Sequence, residues 1–265
     1  MSEQPSVIEQ GYDAVYAAWP HATTLHRLWR QHVTGPDYPD GFEHISFATH
    51  DELRALAAAL ALREGDQLAD LACGGGGSGL WMARTTGAHL AGVDLSAQGI
   101  HLAGERAVRL GMAERARFTK GSFAATGLPS DSVDAAMTLD ALQYAPNILD
   151  AIREVYRILK PGGRFGCYAF VLDANRVAPL PGAWDDPVED YRDPLDAAGF
   201  EIIRYETTPG WQERVTNAYS AVVAARDALL AEIGERATNA LLFEMVITLE
   251  RQPYRDRIFA LARKP

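Results

Sequence analysis

The sequence predicts an α/β fold built on a mostly parallel β-sheet. From about Gly65 onward, short apolar runs alternate with amphipathic stretches, a pattern typical of strand–helix–strand units. A glycine-rich turn over residues 74–79 separates the first apolar run from the amphipathic stretch that follows it. With 265 residues, the chain is long enough for one large domain of this class with additional helices.

Apolar runs predict the strands, and capping or breaking residues predict where the intervening helices begin and end. Ser96 is a suitable N-cap for the helix after the second strand. The segment Lys160–Gly163 contains one proline and two glycines and ends a helix, and Gly199 is a suitable residue to follow the last turn of another. The predicted strands are Leu68–Cys73, Leu90–Asp94, Arg117–Lys120, Val133–Leu139, Arg164–Phe170, Phe200–Glu206 and Arg257–Ala262, and helices are predicted around Leu80–Thr86, Ile148–Leu159 and Val188–Ala198.

Two helical regions are predicted outside this alternating pattern. The segment Thr49–Glu52 matches a capping box, so a helix should begin there and run to about Leu62. The stretch Trp211–Thr248 has helical periodicity that is interrupted near Gly234. We therefore expect an N-terminal helical lid over residues 1–64 and a core over residues 65–265 with a helical cap at about 211–249. Such additions commonly cover the ligand crevice of an α/β sheet.

Composition and charge indicate which kinds of partner, among nucleic acids, membranes and metal ions, the protein is expected to lack. The net charge of −10 disfavours nucleic acid as a substrate. Both cysteines, Cys73 and Cys167, lie in apolar runs and are expected in the core rather than in a disulfide. The N-terminus lacks the pattern of a signal peptide, no apolar run is long enough to span a bilayer, and no metal-ligand spacing is present. We expect a cytoplasmic protein without a membrane or metal partner.

The segment Asp70–Gly79 carries the main chemical signal. Its glycines let the backbone approach a ligand closely, and the following helix presents its N-terminal amides to that ligand. The G-x-G-x-x-G pattern within it would equally suit NAD. Asp70 favours S-adenosylmethionine, because a carboxylate there would repel a pyrophosphate but suits a ligand with an ammonium and a sulfonium. A turn or helix-capping role is the alternative for Asp70.

Five motifs in order resemble the class I S-adenosylmethionine-dependent methyltransferases, in the branch of ubiquinone, sterol, sugar and natural-product enzymes. They are Asp70–Gly79, Gly92–Ser96, Gly127–Pro129, Ser132–Asp134 and Leu159–Phe165. The resemblance implies a Rossmann-like sheet of seven strands whose last strand is antiparallel. It also implies a methyl-transfer reaction on a small-molecule metabolite, with S-adenosylmethionine as cofactor.

The resemblance also implies a set of cofactor-binding residues. The glycine loop would wrap the methionine part of the cofactor, Asp94 would bind the ribose, and Leu95 would pack on the adenine. Ser122 stands where the family usually has an acid, so the backbone of Phe123 is the alternative contact to the adenine amine. The complete predicted set is Tyr16, Asp70, Ala72, Gly74, Gly76, Asp94, Leu95, Gly121, Ser122, Phe123 and Leu139.

Methyl transfer is an in-line displacement, so the enzyme mainly positions the nucleophile and excludes water. Asp140 follows the fourth strand and is the main candidate for a polar group that faces the methyl, with Tyr144 nearby. A cofactor contact or a capping role is equally compatible with Asp140. His44 is a further candidate base. Aromatic residues that are candidates for lining the substrate pocket are Trp184, Trp211, Tyr219 and Phe243.

Several alternatives stay open at this stage. Tyr12, Tyr16 and Trp19 have the spacing of a lid over the cofactor but equally that of an apolar helix face. The same fold also supports a cofactor-binding cyclase or isomerase, or a non-catalytic protein that retains the cofactor. The oligomeric state is expected to be a monomer or a homodimer.

Overall fold

The computed structural model describes residues 7–173, 176 and 188–265. Trp184 and most of the predicted loop at 172–187 lie outside the described residues. Within the described ranges, no helix combines the length and the apolar character needed to cross a bilayer.

A single sheet of seven strands organises the fold, in the order β3-β2-β1-β4-β5-β7-β6. Strand β7 is antiparallel to both of its neighbours, and the remaining pairs are parallel. The structure thus confirms the predicted fold class. The strands are β1 (Gln67–Leu71), β2 (His89–Asp94), β3 (Ala116–Lys120), β4 (Val133–Leu139), β5 (Leu159–Leu172), β6 (Glu201–Thr207) and β7 (Arg255–Arg263).

Helices cover both faces of the sheet and one of its ends. They are α1 (Val7–Ala18), α2 (Thr23–Trp29), α3 (His50–Leu60), α4 (Gly77–Thr86), α5 (Ala97–Arg109), α6 (Ile148–Ile158), α7 (Arg192–Ala198), α8 (Trp211–Ala224) and α9 (Arg226–Arg251). Short 3-10 segments occur at Trp19–His21, Leu142–Tyr144 and Gln252–Tyr254, and one π-helical segment at Arg30–Thr34.

The predicted helix boundaries are confirmed wherever a capping residue marked them. Thr49 and Glu52 form a reciprocal capping box at the start of α3. The Ser96 hydroxyl accepts a hydrogen bond of 2.9 Å from the Gly99 amide, and Gly199 adopts φ +95° after α7. Gly234, with φ +76°, interrupts α9. Local sequence is sufficient at these positions because each cap is an interaction within one turn.

Several boundaries differ from the sequence prediction, and three of them concern the starts of α4, β5 and α7. Helix α4 begins at Gly77 instead of about Leu80, because its first turn is formed by glycine and serine of the loop itself. Strand β5 begins at Leu159, which pairs with Val133 across a register shift before the regular ladder resumes at Arg164. Helix α7 begins at Arg192 rather than near Val188.

The sheet has an apolar layer on each face. One layer packs α3 and α4 against the strands and includes Leu53, Leu56 and Leu80. The other packs α6 and α7 and includes Val155 and Leu195. Because both faces are covered, β1 is buried along nearly its whole length instead of alternating between buried and exposed residues. The two cysteines are buried and free, as predicted.

A third apolar cluster joins the N-terminal helices to the predicted cap. Trp19 and Trp29 are buried with Trp211, Tyr219 and Met245 of α8 and α9. At the edge of this layer, Glu232 of α9 accepts hydrogen bonds from the Thr23 and Thr24 hydroxyls, at 2.9 and 2.7 Å. The N-terminal helices and the cap therefore pack as one layer over the end of the sheet.

A buried guanidinium connects this layer to the sheet. Arg257 of β7 has no exposed surface, and it donates to both carboxylate oxygens of Asp140, at 2.6 and 3.1 Å. It also donates to Glu52 of α3 at 2.9 Å, and Glu52 accepts a further bond of 2.8 Å from Arg214 of α8. Since a charge buried in this way is tolerated only when it is paired, these side chains are fixed relative to one another.

The first prediction concerns this buried pair. Arg257→Met leaves the Asp140 carboxylate without its cation, so we expect a loss of about 3–5 kcal/mol in the free energy of unfolding. Urea denaturation measures it. Arg263→Met is the matched control, because Arg263 lies on the same strand and forms an exposed pair with Glu201, worth about 0–1 kcal/mol. Equal losses in the two variants would contradict the prediction.

Candidate active site

A cavity of about 760 Å³ lies at the carboxyl ends of β1, β2 and β4, beneath α1, α8 and α9. The strand order reverses between β1 and β4, and this is where open α/β sheets bind ligands. One half of the cavity is bounded by the glycine loop and the end of β2, and we call it the loop half. The other, the aromatic half, is bounded by Tyr12, Phe47, Tyr144, Phe170, Tyr219, Glu244 and Arg255.

At Gly77 and Gly79 the glycine loop allows close approaches that a side chain would prevent. A Cβ at Gly77 would collide with the backbone carbonyl oxygens of Phe42 and Glu43, so the N-terminal segment packs directly on the start of α4. A Cβ at Gly79 would collide with Oδ2 of Asp70. Glycine at these two positions therefore leaves the space that the chain before α3 and the Asp70 carboxylate occupy.

The loop residues predicted to bind the cofactor fall into two groups. Ala72 lines the cavity, with Gly75, Gly77 and Ser78. Gly74 and Gly76 have positive φ, and their missing side chains make room for neighbouring residues. A Cβ at Gly74 would overlap the Tyr16 hydroxyl, and one at Gly76 would press on Ala103 and Phe118. The structure thus gives Gly74 and Gly76 a role in shaping the loop and places Gly75, Gly77 and Ser78 at the cavity wall.

Asp70 is a buried carboxylate on the wall of the loop half. Only 1% of its surface is exposed, and its Oδ2 has no hydrogen-bond partner among the described residues. Burial, reinforced by the nearby Asp94, raises the pKa of Asp70 well above its usual value. A ligand cation beside the carboxylate would favour its ionised form, so Asp70 fits the ammonium group expected from the sequence.

Asp94 ends β2 and connects the loop to the next helix. Its Oδ2 accepts a hydrogen bond of 2.7 Å from the Gly74 amide, and its Oδ1 accepts one of 2.8 Å from the Ser96 amide. Burial raises the pKa of Asp94 as well. The carboxylate lines the cavity and retains lone pairs for ligand hydroxyls while it orders the loop.

The remaining predicted cofactor residues meet at the same half of the cavity. Leu95 is 37% exposed, and it borders the cavity, as does Phe123. The Ser122 amide donates 3.1 Å to the Ala125 carbonyl, which folds the segment after β3 towards the cavity. The structure brings together at this wall Tyr16, Leu95, Gly121, Ser122, Phe123 and Leu139.

Asp140 lies between the two halves in a left-handed backbone conformation, φ +54°. Besides the two bonds from Arg257, its Oδ2 accepts a bond of 2.7 Å from the Phe47 amide. The residue is 9% exposed. Both carboxylate oxygens are therefore engaged with fixed donors.

His44 also borders the cavity, but its environment makes it a weak base. Burial lowers the pKa of His44 to about 4. Its Nδ1 lies 3.0 Å from the Ser46 hydroxyl, and its Nε2 has no hydrogen-bond partner in the described part of the chain. The imidazole is therefore neutral at physiological pH.

Tyr144, the third residue predicted to be catalytic, contacts a carboxylate that was not predicted from the sequence. Its hydroxyl donates 2.8 Å to Glu244 of α9. The hydroxyls of Tyr12 and Tyr219 donate to the same carboxylate, at 3.2 and 3.4 Å. In the sequence, Glu244 looks like any solvent-facing glutamate of an amphipathic helix. The one feature that could have indicated its burial is its position between the apolar residues Phe243 and Met245.

Two of the aromatic residues predicted to line the substrate pocket do not do so. Phe243 is 56% exposed on the outer side of α9, since α9 turns Glu244 inward. Trp211 is buried in the layer above the sheet and donates 2.9 Å to Asp256. Tyr219 does border the cavity. The relative rotation of the helices decides these positions, and periodicity does not specify it.

Comparison with known proteins identifies the class. Residues 69–167 match the family model described as a methyltransferase domain. The 27-O-demethylrifamycin SV methyltransferase of Amycolatopsis mediterranei is 27% identical over 282 residues, covering 98% of this chain and 98% of that protein. Sterol 24-C-methyltransferase erg-4 of Neurospora crassa is 35% identical over 120 residues, covering 45% of this chain and 32% of the relative.

The crystal structure of the [4+2]-cyclase SpnF superposes with a TM-score of 0.77 and 24% identity, and the match covers 100% of this chain and 98% of that one. At this identity the likeness shows a common fold.

Residues 69–167 therefore carry a methyltransferase domain of the class I, S-adenosylmethionine-dependent kind. The family model and the seven-stranded sheet confirm the family and the cofactor class predicted from the motifs. The chain spans about a third of the length of the sterol relative and nearly all of the rifamycin relative.

The second prediction tests the geometry of the loop half. Gly79→Ala places a methyl group against Asp70, so we expect at least a tenfold loss of affinity for S-adenosylhomocysteine, measured by calorimetry. Gly104→Ala is the matched control, because a Cβ at Gly104 of α5 meets nothing within 4 Å. It should keep the affinity and stabilise the helix by about 0.5–1 kcal/mol. Equal affinities for all three proteins would remove Asp70 from the cofactor site.

Proposed function

We propose that this protein transfers the methyl group of S-adenosylmethionine to a small-molecule acceptor bound in the aromatic half of the cavity. The single observation that carries the proposal is the continuity of the cavity. The loop half and the aromatic half form one space of about 760 Å³, within the usual range for ligand pockets. A cofactor and an acceptor would therefore meet under the helical cover.

In this proposal the loop half holds the cofactor. Asp70 pairs with its ammonium group and Asp94 accepts the ribose hydroxyls, while Leu95 and Phe123 pack beside the adenine. The bound cofactor supplies a methyl group already activated by a positively charged sulfur. The residues of the chain then hold the two reactants in line and exclude water from the space between them.

The aromatic half supports an apolar or aromatic acceptor. Phe47 packs edge-on against Phe170 and Tyr219, with ring centroids 6.0 and 5.0 Å apart, and such rigid aromatic walls suit a large apolar ligand. The net charge of −10 favours a small metabolite over a nucleic acid. The likeness to a rifamycin methyltransferase over nearly the whole chain supports a natural product as the acceptor class.

We assign to residues 1–64 the role of a cover that orders around the cofactor. Ser96 donates 2.6 Å to Asp13 of α1, and Lys120 donates 2.7 Å to Glu9 of the same helix. Helix α1 is thus tied to the segment that follows β2 and to the last residue of β3, which border the loop half.

The third prediction tests the proposed function directly. S-adenosylmethionine and S-adenosylhomocysteine should bind at micromolar concentration in calorimetry, whereas NAD should not bind. The purified protein should release S-adenosylhomocysteine in the presence of some members of a panel of aromatic and polyketide-like hydroxyl and amine compounds. Cofactor binding without methyl transfer to any compound would favour a cyclase or a non-catalytic protein instead. Binding of NAD alone would contradict the cofactor assignment.

The fourth prediction concerns Asp140. We propose that it positions Phe47 in the wall of the aromatic half through the 2.7 Å bond to the Phe47 amide. Asp140→Asn removes the charge that pairs with Arg257, so KM for the acceptor should rise severalfold while kcat is largely kept. Steady-state kinetics with a turned-over acceptor measure both constants. A loss in kcat of about 10²-fold or more at unchanged KM would make Asp140 a base.

A further inference from the structure

The carboxylate of Glu244 is surrounded by three phenol groups that come from different parts of the chain. Tyr12 belongs to α1, Tyr144 follows β4 and Tyr219 belongs to α8, and each donates a hydrogen bond to Glu244. The carboxylate and all three tyrosines line the aromatic half. Folding thus brings an acid from α9 and donors from three other segments to the wall that faces the acceptor.

The charge environment of Glu244 differs from that of Asp140. Asp140 is neutralised by Arg257, whereas no ion pair joins Glu244 to a cation within the described part of the chain. Arg255, at the start of β7, is the cation that acts on it electrostatically, and its guanidinium lies 4.1 Å from the centroid of the Phe170 ring. Glu244 is therefore held by neutral donors and keeps its affinity for a proton.

Burial sets the protonation behaviour of this group. It raises the pKa of Glu244, while the hydrogen bonds from Tyr144, Tyr12 and Tyr219 and the charge of Arg255 oppose the rise. Glu244 in turn raises the pKa of Tyr12, Tyr144 and Tyr219, although burial is the largest cause for each. A carboxylate with a raised pKa is a stronger base than an exposed glutamate.

We infer that Glu244 is the base of the reaction and that the acceptor presents a hydroxyl group to it, with Tyr12, Tyr144 and Tyr219 holding the carboxylate in position. The inference rests on the proposed methyl transfer. In the step, the acceptor oxygen forms a bond to the methyl carbon while the carbon–sulfur bond breaks. The sulfur keeps the electron pair of that bond, and the hydroxyl proton moves to a carboxylate oxygen of Glu244.

Two observations favour a hydroxyl over an amine. A hydroxyl nucleophile gains more from a base than an amine does, and neither of the other candidates supplies one. Asp140 is committed to Arg257 and Phe47, and burial lowers the pKa of His44 to about 4. In addition, the guanidinium of Arg255 over Phe170 places a positive charge beside the wall that a protonated amine would have to occupy.

The fifth prediction tests this role with matched variants. Glu244→Gln keeps the size of the side chain but cannot accept a proton, so kcat for a hydroxyl acceptor should fall by about 10²–10⁴-fold. Its affinity for S-adenosylhomocysteine should stay within twofold of wild type, because Glu244 lies in the other half of the cavity. Glu250→Gln changes an exposed glutamate on the same helix and should keep both values.

The pH dependence of kcat distinguishes a base from a structural link. The carboxylate is charged only above its raised pKa, so the wild-type rate should fall as the pH drops through that value. Tyr144→Phe removes a donor to the charged form, so the acid limb should move upward by about one pH unit. Glu244→Gln should lack this limb. If Glu244 only joined α9 to the tyrosines, Glu244→Gln would have a lower thermal midpoint than wild type but the same pH dependence of kcat.

A binding experiment separates this inference from the proposed function. The visible absorption of 4-nitrophenol reports hydrogen bonding and ionisation of its hydroxyl. With protein saturated by S-adenosylhomocysteine, we expect a red-shifted spectrum for wild type and Glu250→Gln and a loss of the shift in Glu244→Gln. Identical spectra for wild type and Glu244→Gln, or methylation of amines alone, would overturn the inference. The expected shift without methylation of any compound would instead contradict the proposed methyl transfer.

Discussion

The guanidinium of Arg257 is the interaction on which the rest of the site depends. It lies at the point where β7, the end of β4 and the start of α3 meet, and it forms ion pairs with both Asp140 and Glu52. Because a buried cation must be paired, neither carboxylate can turn away from it. The Phe47 amide and Nη2 of Arg257 both donate to Oδ2 of Asp140. The Arg257–Asp140 ion pair therefore also fixes the segment around Phe47 that forms part of the wall of the aromatic half.

Four of the carboxylates that line the cavity differ in their electrostatic environment. Asp140 has a fixed cation, and Asp94 accepts from two backbone amides. Asp70 has an oxygen without a partner, and Glu244 accepts only from phenols among the described groups. The carboxylates with fixed partners order the backbone around the cavity, whereas Asp70 and Glu244 remain available to ligands. One lies in each half, which is consistent with two ligands that require different chemistry.

Helix α1 contacts both halves of the cavity. Its Tyr16 overlies the glycine loop at Gly74, and its Tyr12 donates to Glu244 of α9. The two rings stack at 6.0 Å along one face of the helix. The alternatives considered for these aromatic residues, core packing and a cover over the ligand, are therefore compatible. The face of α1 that packs on α9 also borders the cavity.

The sequence by itself determined the features that depend on neighbours in the chain. Alternating apolar runs specified the sheet, and local caps at Thr49, Ser96 and Gly199 specified helix ends, because those interactions close within one turn. The glycine loop and Asp94 were recognisable because their spacing is local. Only the tertiary structure decided which carboxylates are neutralised. Arg257 lies 117 residues from Asp140, and Glu244 lies 100 residues from Tyr144. Such pairs depend on strand order and helix rotation, which no local pattern encodes.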